Sequence, residues 1–107
     1  MKRYGTVLRL KPGAEAMYRE YHKAVWPDVL KTITDCNIQN YSIYLKDDLL
    51  FAYFEYHGAD FAEDMEKMGR DPKTQEWWAI MMPLQDPLGS RKEGEWWAAM
   101  DAAFHWD

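Results

Sequence analysis

A chain of 107 residues with 48% hydrophobic and 16% aromatic side chains has the size and apolar content of one folded domain, which excludes global disorder. Its formal net charge of −5, with basic residues scattered among acids, excludes nucleic acid as a partner, because the phosphate backbone demands clustered Lys and Arg. Cys36 is the one cysteine, so an internal disulfide and a thiolate metal cluster are excluded too, in keeping with a reducing cytoplasm.

In chain order, Tyr4, Thr6, Leu8 and Leu10 alternate with Arg3, Gly5, Val7 and Arg9, a strand pattern ended by Pro12-Gly13. From Ala14 the period changes. Ala14, Met17, Tyr18, Tyr21 and Val25 recur at spacings of three and four, which predicts a helix from about Gly13 to Ala24. Pro27 lacks an N–H and would clash with the carbonyl of Lys23, so a second helix is expected to start there, with Asp28 near its positive end. That helix should stop around Cys36-Asn37.

The stretch "NYSIYLKDDLLFAYFEYHG" reads as a hairpin, with Tyr41, Ile43 and Leu45 alternating before the Asp47-Asp48 turn and Leu50 to Tyr56 returning. Helices follow over Gly58 to Met68 and Pro72 to Met82. Pro83, Pro87 and Gly89 then mark a loop. In the tail, Ala98, Met100, Ala102, Phe104 and Trp106 alternate with Trp97, Asp101 and His105, and a closing strand is expected near Met100 to Trp106.

The resulting order, β-α-β-β-α-β, is the α+β ferredoxin-like split βαβ arrangement in a single domain over residues 1–107. Its four-stranded antiparallel sheet carries helices on one face only. The other face must be covered, and dimerisation is one way to do so. No apolar stretch reaches the ~18 residues that span a bilayer, and the N-terminus lacks a signal-peptide core. The expectation is a soluble, cytoplasmic domain without a membrane partner.

Tyr18 and His22 are neighbours one helical turn apart. His22 lies near the expected end of the first helix, where bare carbonyls favour imidazolium unless burial opposes them. Histidine is the side chain best able to exchange protons near neutral pH, although a half-exposed histidine satisfied by a local carbonyl has the same spacing. Trp26, next to Pro27, becomes a junction residue. His57 and His105 form no H-x-H or H-E-x-x-H pattern, so a zinc or iron site is not expected. Cys36 reads as a buried helix-end thiol.

Adjacent helical positions point about 100° apart, so one of Trp77 and Trp78 is expected to line a cleft or an interface. Strand alternation would send the rings of Trp96 and Trp97 to opposite faces. Tyr41 and Tyr44 read by default as packing or interface residues. From the residues alone, the chain is an α+β domain with an aromatic-rich cavity and one proton-transfer histidine.

The blocks "YREYHKAVWPDVL", "NYSIYL", "LLFAYFEY" and "QEWWAIMMPL", taken together and in this order, resemble the L-rhamnose mutarotase family over roughly residues 3–85. The resemblance implies a dimeric α+β barrel of ferredoxin-like protomers. It implies cofactor-free interconversion of the α and β pyranose anomers of L-rhamnose or a related 6-deoxyhexose. By motif position, the proton-donating histidine falls on His22, and the substrate-contacting positions fall on Tyr18, Tyr41, Trp77 and Trp78. In the mechanism this suggests, Tyr18 orients the imidazole or serves as the complementary acid–base group. The segment "QDPLGSRKEGEWWAAMDAAFHWD" departs from the family pattern in its basic loop and its aromatic content, and such a segment could line the sugar site or the dimer seam. A monooxygenase or haem-handling protein of the same fold, and a non-catalytic sugar-binding module, remain as alternatives.

Overall fold

The computed structural model describes residues 1–107. Its central strand is β1 (Lys2–Leu10), where the alternation of the sequence becomes two faces. Pro12-Gly13 turns the chain, with Gly13 at φ +81°, a backbone that a side chain would strain. Helix α1 (Glu15–His22) follows, and α2 (Pro27–Asp35) starts with Pro27 in its first turn and Trp26 extended ahead of it. The proline therefore separates two helices, as its chemistry requires.

Strands β2 (Ile38–Lys46) and β3 (Leu49–Tyr56) form the hairpin. Lys46 pairs with Leu49, so Asp47 and Asp48 alone make the loop, at φ 52° and 60°. Two consecutive positive φ values are the type I′ geometry that suits the twist of the strands. Helices α3 (Phe61–Arg70) and α4 (Pro72–Met81) are each capped by an aspartate: Asp60 accepts from the Glu63 N–H at 3.1 Å, and Asp71 from the Thr74 N–H at 2.9 Å. Gly58 precedes α3 because a Cβ there would collide with the Tyr56 hydroxyl.

The sheet is antiparallel, in the order β2-β3-β1, with two short strands sharing the far edge of β1. β4 (Gln85–Asp86) pairs with Leu10 and Arg9, and β5 (Ala98–Met100) pairs with Val7 to Gly5. Two expectations are corrected here. Gln85–Asp86 is a strand rather than part of the loop, and the closing strand is Ala98–Met100 rather than Met100–Trp106. Phe104 and Trp106 are 82% exposed, so their alternation reports no buried face. Two alanines and Asp101 also offer little β-propensity to extend the pairing.

One face of the sheet carries the core. Leu8, Leu10 and Leu50 meet Tyr18 of α1, Val29 of α2, and Trp77 and Met81 of α4. Helix α3 docks beside it through Phe61, whose ring stacks on Tyr4 at 4.4 Å between centroids. The opposite face presents Tyr44, Phe51 and Met100, all exposed. No helix is long and apolar enough to cross a membrane.

Candidate active site

Helix α1 places Tyr18 and His22 one turn apart on its buried side. The rings stack with centroids 4.1 Å apart, and His22 Nδ1 lies 2.8 Å from the Tyr18 carbonyl oxygen. A carbonyl only accepts, so Nδ1 carries the proton and donates it. The Nε2 lone pair is then the free end of the imidazole. Trp77, buried in α4, packs its indole edge-on against His22 at 5.3 Å and against Trp26 at 5.1 Å. Trp26 thus supports Trp77 from the helix junction.

Burial lowers the pKa of His22, and the bond to the Tyr18 carbonyl opposes this only in part. The helix end favours the imidazolium, as its position suggested, but desolvation wins and the ring is neutral at pH 7. Burial, with a smaller push from Tyr41, raises Tyr18 well above the usual phenol range. Its hydroxyl has no protein partner, yet no side-chain oxygen or nitrogen is sealed away unpaired, so it opens on the neighbouring space.

Tyr41 reaches the same place through a defect in β2. Between the pairs Gln39↔Glu55 and Ser42↔Tyr53 the register shifts, leaving Asn40 and Tyr41 opposite Phe54 alone. This β-bulge changes which way the following residues point. Ile38 and Ile43, five positions apart, can then both face the helices, and Tyr41 joins them. Asn40 accommodates the bulge at φ 49°, and its amide donates to Glu55 Oε1 at 2.7 Å. Although Tyr41 is 43% exposed overall, its hydroxyl end is desolvated and its pKa is pushed up to about 12.

Tyr18, His22, Tyr41, Trp77 and Trp78 all line one cavity of about 300 Å³, within the range of small-molecule sites. Both tryptophans of the α4 pair reach it, where helical spacing alone pointed to one and the resemblance to both: Trp77 is buried in its wall and Trp78 is 39% exposed. An outer recess of about 460 Å³, flanked by Arg19 and Lys23, shares Tyr18 and His22 with it. The imidazole therefore stands where the inner cavity meets the surface.

The walls are mainly hydrophobic, with His22, Thr74 and Gln85 as exceptions. The Thr74 hydroxyl is committed to Asp71 at 2.9 Å. The C-terminal segment, expected to line either the sugar site or the dimer seam, lines this cavity through Gln85, Trp96 and Trp97. Both tryptophans precede β5, so strand alternation does not separate them and both face the cavity. Neither His57, 3.5 Å from Glu55, nor His105, 2.8 Å from Asp107, lines it. Cys36 is fully buried, and burial raises its pKa, as befits an unreactive thiol.

The profile of the L-rhamnose mutarotase family matches residues 3–106. A Phocaeicola vulgatus protein named L-rhamnose mutarotase is 36% identical over 88 residues, covering 80% of this chain and 82% of its own length. A UPF0734 protein of Dictyostelium discoideum is 33% identical over 99% of this chain and 90% of its own. Among solved structures, the L-rhamnose mutarotase of Formosa agariphila superposes with a TM-score of 0.79 over the full length of both chains, at 18% identity. The tetracenomycin F2 cyclase of Streptomyces glaucescens superposes at 0.68 and 16% identity, over 100% of this chain and 98% of its own, so the fold by itself spans unrelated chemistries. On the strength of the sequence matches, which reach nearly from end to end, this protein belongs to the L-rhamnose mutarotase family, a family of isomerases.

Proposed function

We propose that this protein interconverts the α and β pyranose anomers of L-rhamnose or a related 6-deoxyhexose, with His22 and Tyr18 as its acid–base pair. The observation that carries the reading is the fixed tautomer of His22, with Nδ1–H tied to the Tyr18 carbonyl and Nε2 bare beside a sugar-sized cavity. A neutral imidazole in this position is a base at Nε2. It takes the proton from the anomeric hydroxyl as the C1–O5 bond breaks. Tyr18, whose phenol stays protonated at physiological pH, donates to the ring oxygen in concert.

The open aldehyde rotates about C1–C2, and O5 closes on the other carbonyl face as the protons return. Tyr18 therefore has two parts: its carbonyl orients the imidazole, and its hydroxyl supplies the complementary proton. Tyr41 offers its hydroxyl to the sugar. Trp77 and Trp78 present flat apolar surface to the C–H face and the C6 methyl. Mutarotation proceeds unaided in water, and a positioned acid–base group adds typically ~10²–10⁴-fold, so modest machinery suffices.

The same reading includes a homodimer, in which a second copy covers the exposed sheet face carrying Tyr44, Phe51 and Met100. The test of function is saturation-transfer NMR on equilibrated L-rhamnose, where the protein should accelerate α/β exchange. Sugar-dependent thermal stabilisation with exchange at the water rate would show a binding module instead. No acceleration with any 6-deoxyhexose would overturn the proposal.

A further inference from the structure

Gln85 is the polar wall residue that the acid–base chemistry leaves unused. It opens β4, pairs with Leu10 through its backbone, and is only 6% exposed. Trp96 Nε1 lies 2.9 Å from its Oε1. An indole N–H can only donate, so this contact decides which end of the amide faces Trp96. The Nε2 group is turned the other way, with two N–H donors and no hydrogen-bond partner in the protein. It is not sealed off, since no buried side-chain nitrogen or oxygen lacks a partner. Gln85 lines the cavity, which is therefore the open space within reach of that nitrogen.

We infer that Gln85 is a substrate-binding and specificity-determining residue: its Nε2 donates to one ring-hydroxyl oxygen of the sugar, and Trp96 is the positioning residue that holds it in this orientation. The inference rests on the cavity being the sugar site. The hydroxyls of Tyr18 and Tyr41 can donate or accept, so they tolerate several partners. The Gln85 Nε2, turned away from Trp96, can only donate. A buried donor facing an apolar cavity is satisfied by an oxygen and left unpaired by a C–H, which is how a site rejects an analogue lacking one hydroxyl.

The test measures kcat/KM for anomer exchange on L-rhamnose and on its 2-, 3- and 4-deoxy analogues, for wild type, Gln85→Met and Trp96→Phe. Gln85→Met should lose about tenfold or more on L-rhamnose. On the one analogue lacking the contacted hydroxyl, it should match wild type within about twofold, because neither protein can make the bond. Trp96→Phe should lose less, on the same hydroxyl, because the amide is freed to turn. It carries the same comparison if Gln85→Met fails to fold. An equal loss on every sugar, or activity on L-rhamnose within about twofold of wild type, would overturn the inference while leaving the mutarotase reading intact. No acceleration by the wild-type protein on these four sugars or on any other 6-deoxyhexose would overturn both.

Discussion

His22 is held neutral by burial against a helix end that would otherwise keep it charged, and this sets the expected pH dependence. Burial lowers its pKa from the ordinary 6.5, and the proposed mechanism uses the unprotonated Nε2. The exchange kcat/KM should therefore rise with pH through a midpoint below 6.5 and stay flat from about pH 7 to 9, since Tyr18 and Tyr41 both titrate higher. A midpoint above 6.5 would contradict the burial argument. The same shift bears on stability. Below 6.5 the unfolded chain binds a proton that the folded chain resists, so stability falls as pH drops through that window. His22→Gln should lessen the fall, as read from melting temperature between pH 7.5 and 5. At this scale the spacing of Tyr18 and His22, and the helix end ahead of Pro27, are legible in the sequence. The outcome for the pKa is not, because the desolvation comes from Trp77 and the sheet, which only the fold brings to the ring.

Two turns of backbone govern the elements. The Asp47-Asp48 loop holds two non-glycine residues at positive φ, a conformation that L side chains resist. Asp48→Gly should stabilise the protein by about 0.5–1 kcal/mol, measured by denaturant unfolding, because glycine removes the strain that the I′ geometry imposes. The bulge at Asn40 matters for the site. Asn40→Gly keeps the positive φ and removes the bond to Glu55 Oε1, loosening the segment that aims Tyr41. It should raise KM for the sugar several-fold with little change in kcat, whereas an unchanged KM would show that Tyr41 is aimed by something else. The hairpin and the starts of α2 and α4 are legible from alternation, Pro27 and Pro72, whereas α3, expected from Gly58, starts at Phe61 after its Asp60 cap. The bulge is not, since a strand read forward from Tyr41 never registers that Ile38 lies five positions before Ile43. β4 escapes for a plainer reason: two residues have no period.

At the scale of the molecule, the core lies on one side of the sheet, and the other face is left open with Tyr44, Phe51 and Met100 exposed between Arg3, Arg9 and Lys46. A second copy covering it predicts a dimer in sedimentation experiments, and Phe51→Glu or Tyr44→Glu should shift the mass toward the monomer. A wild-type monomer would remove that element of the reading. The β-α-β-β-α-β order and the one-sided helices are legible in the pattern of periods. The gathering of α1, the β2 bulge, α4 and the segment before β5 around one cavity is not, because no local period encodes which distant aromatics meet. In the proposed reaction His22 Nε2 moves the proton. The most direct measurement is the saturation-transfer exchange rate of α/β-L-rhamnose with wild type and with His22→Ala at equal concentration and pH 7.5. The expected result is that the variant, folded by melting temperature, loses ~10²–10⁴-fold of the protein-dependent rate. A folded His22→Ala variant that still accelerates exchange within about tenfold of wild type would contradict it.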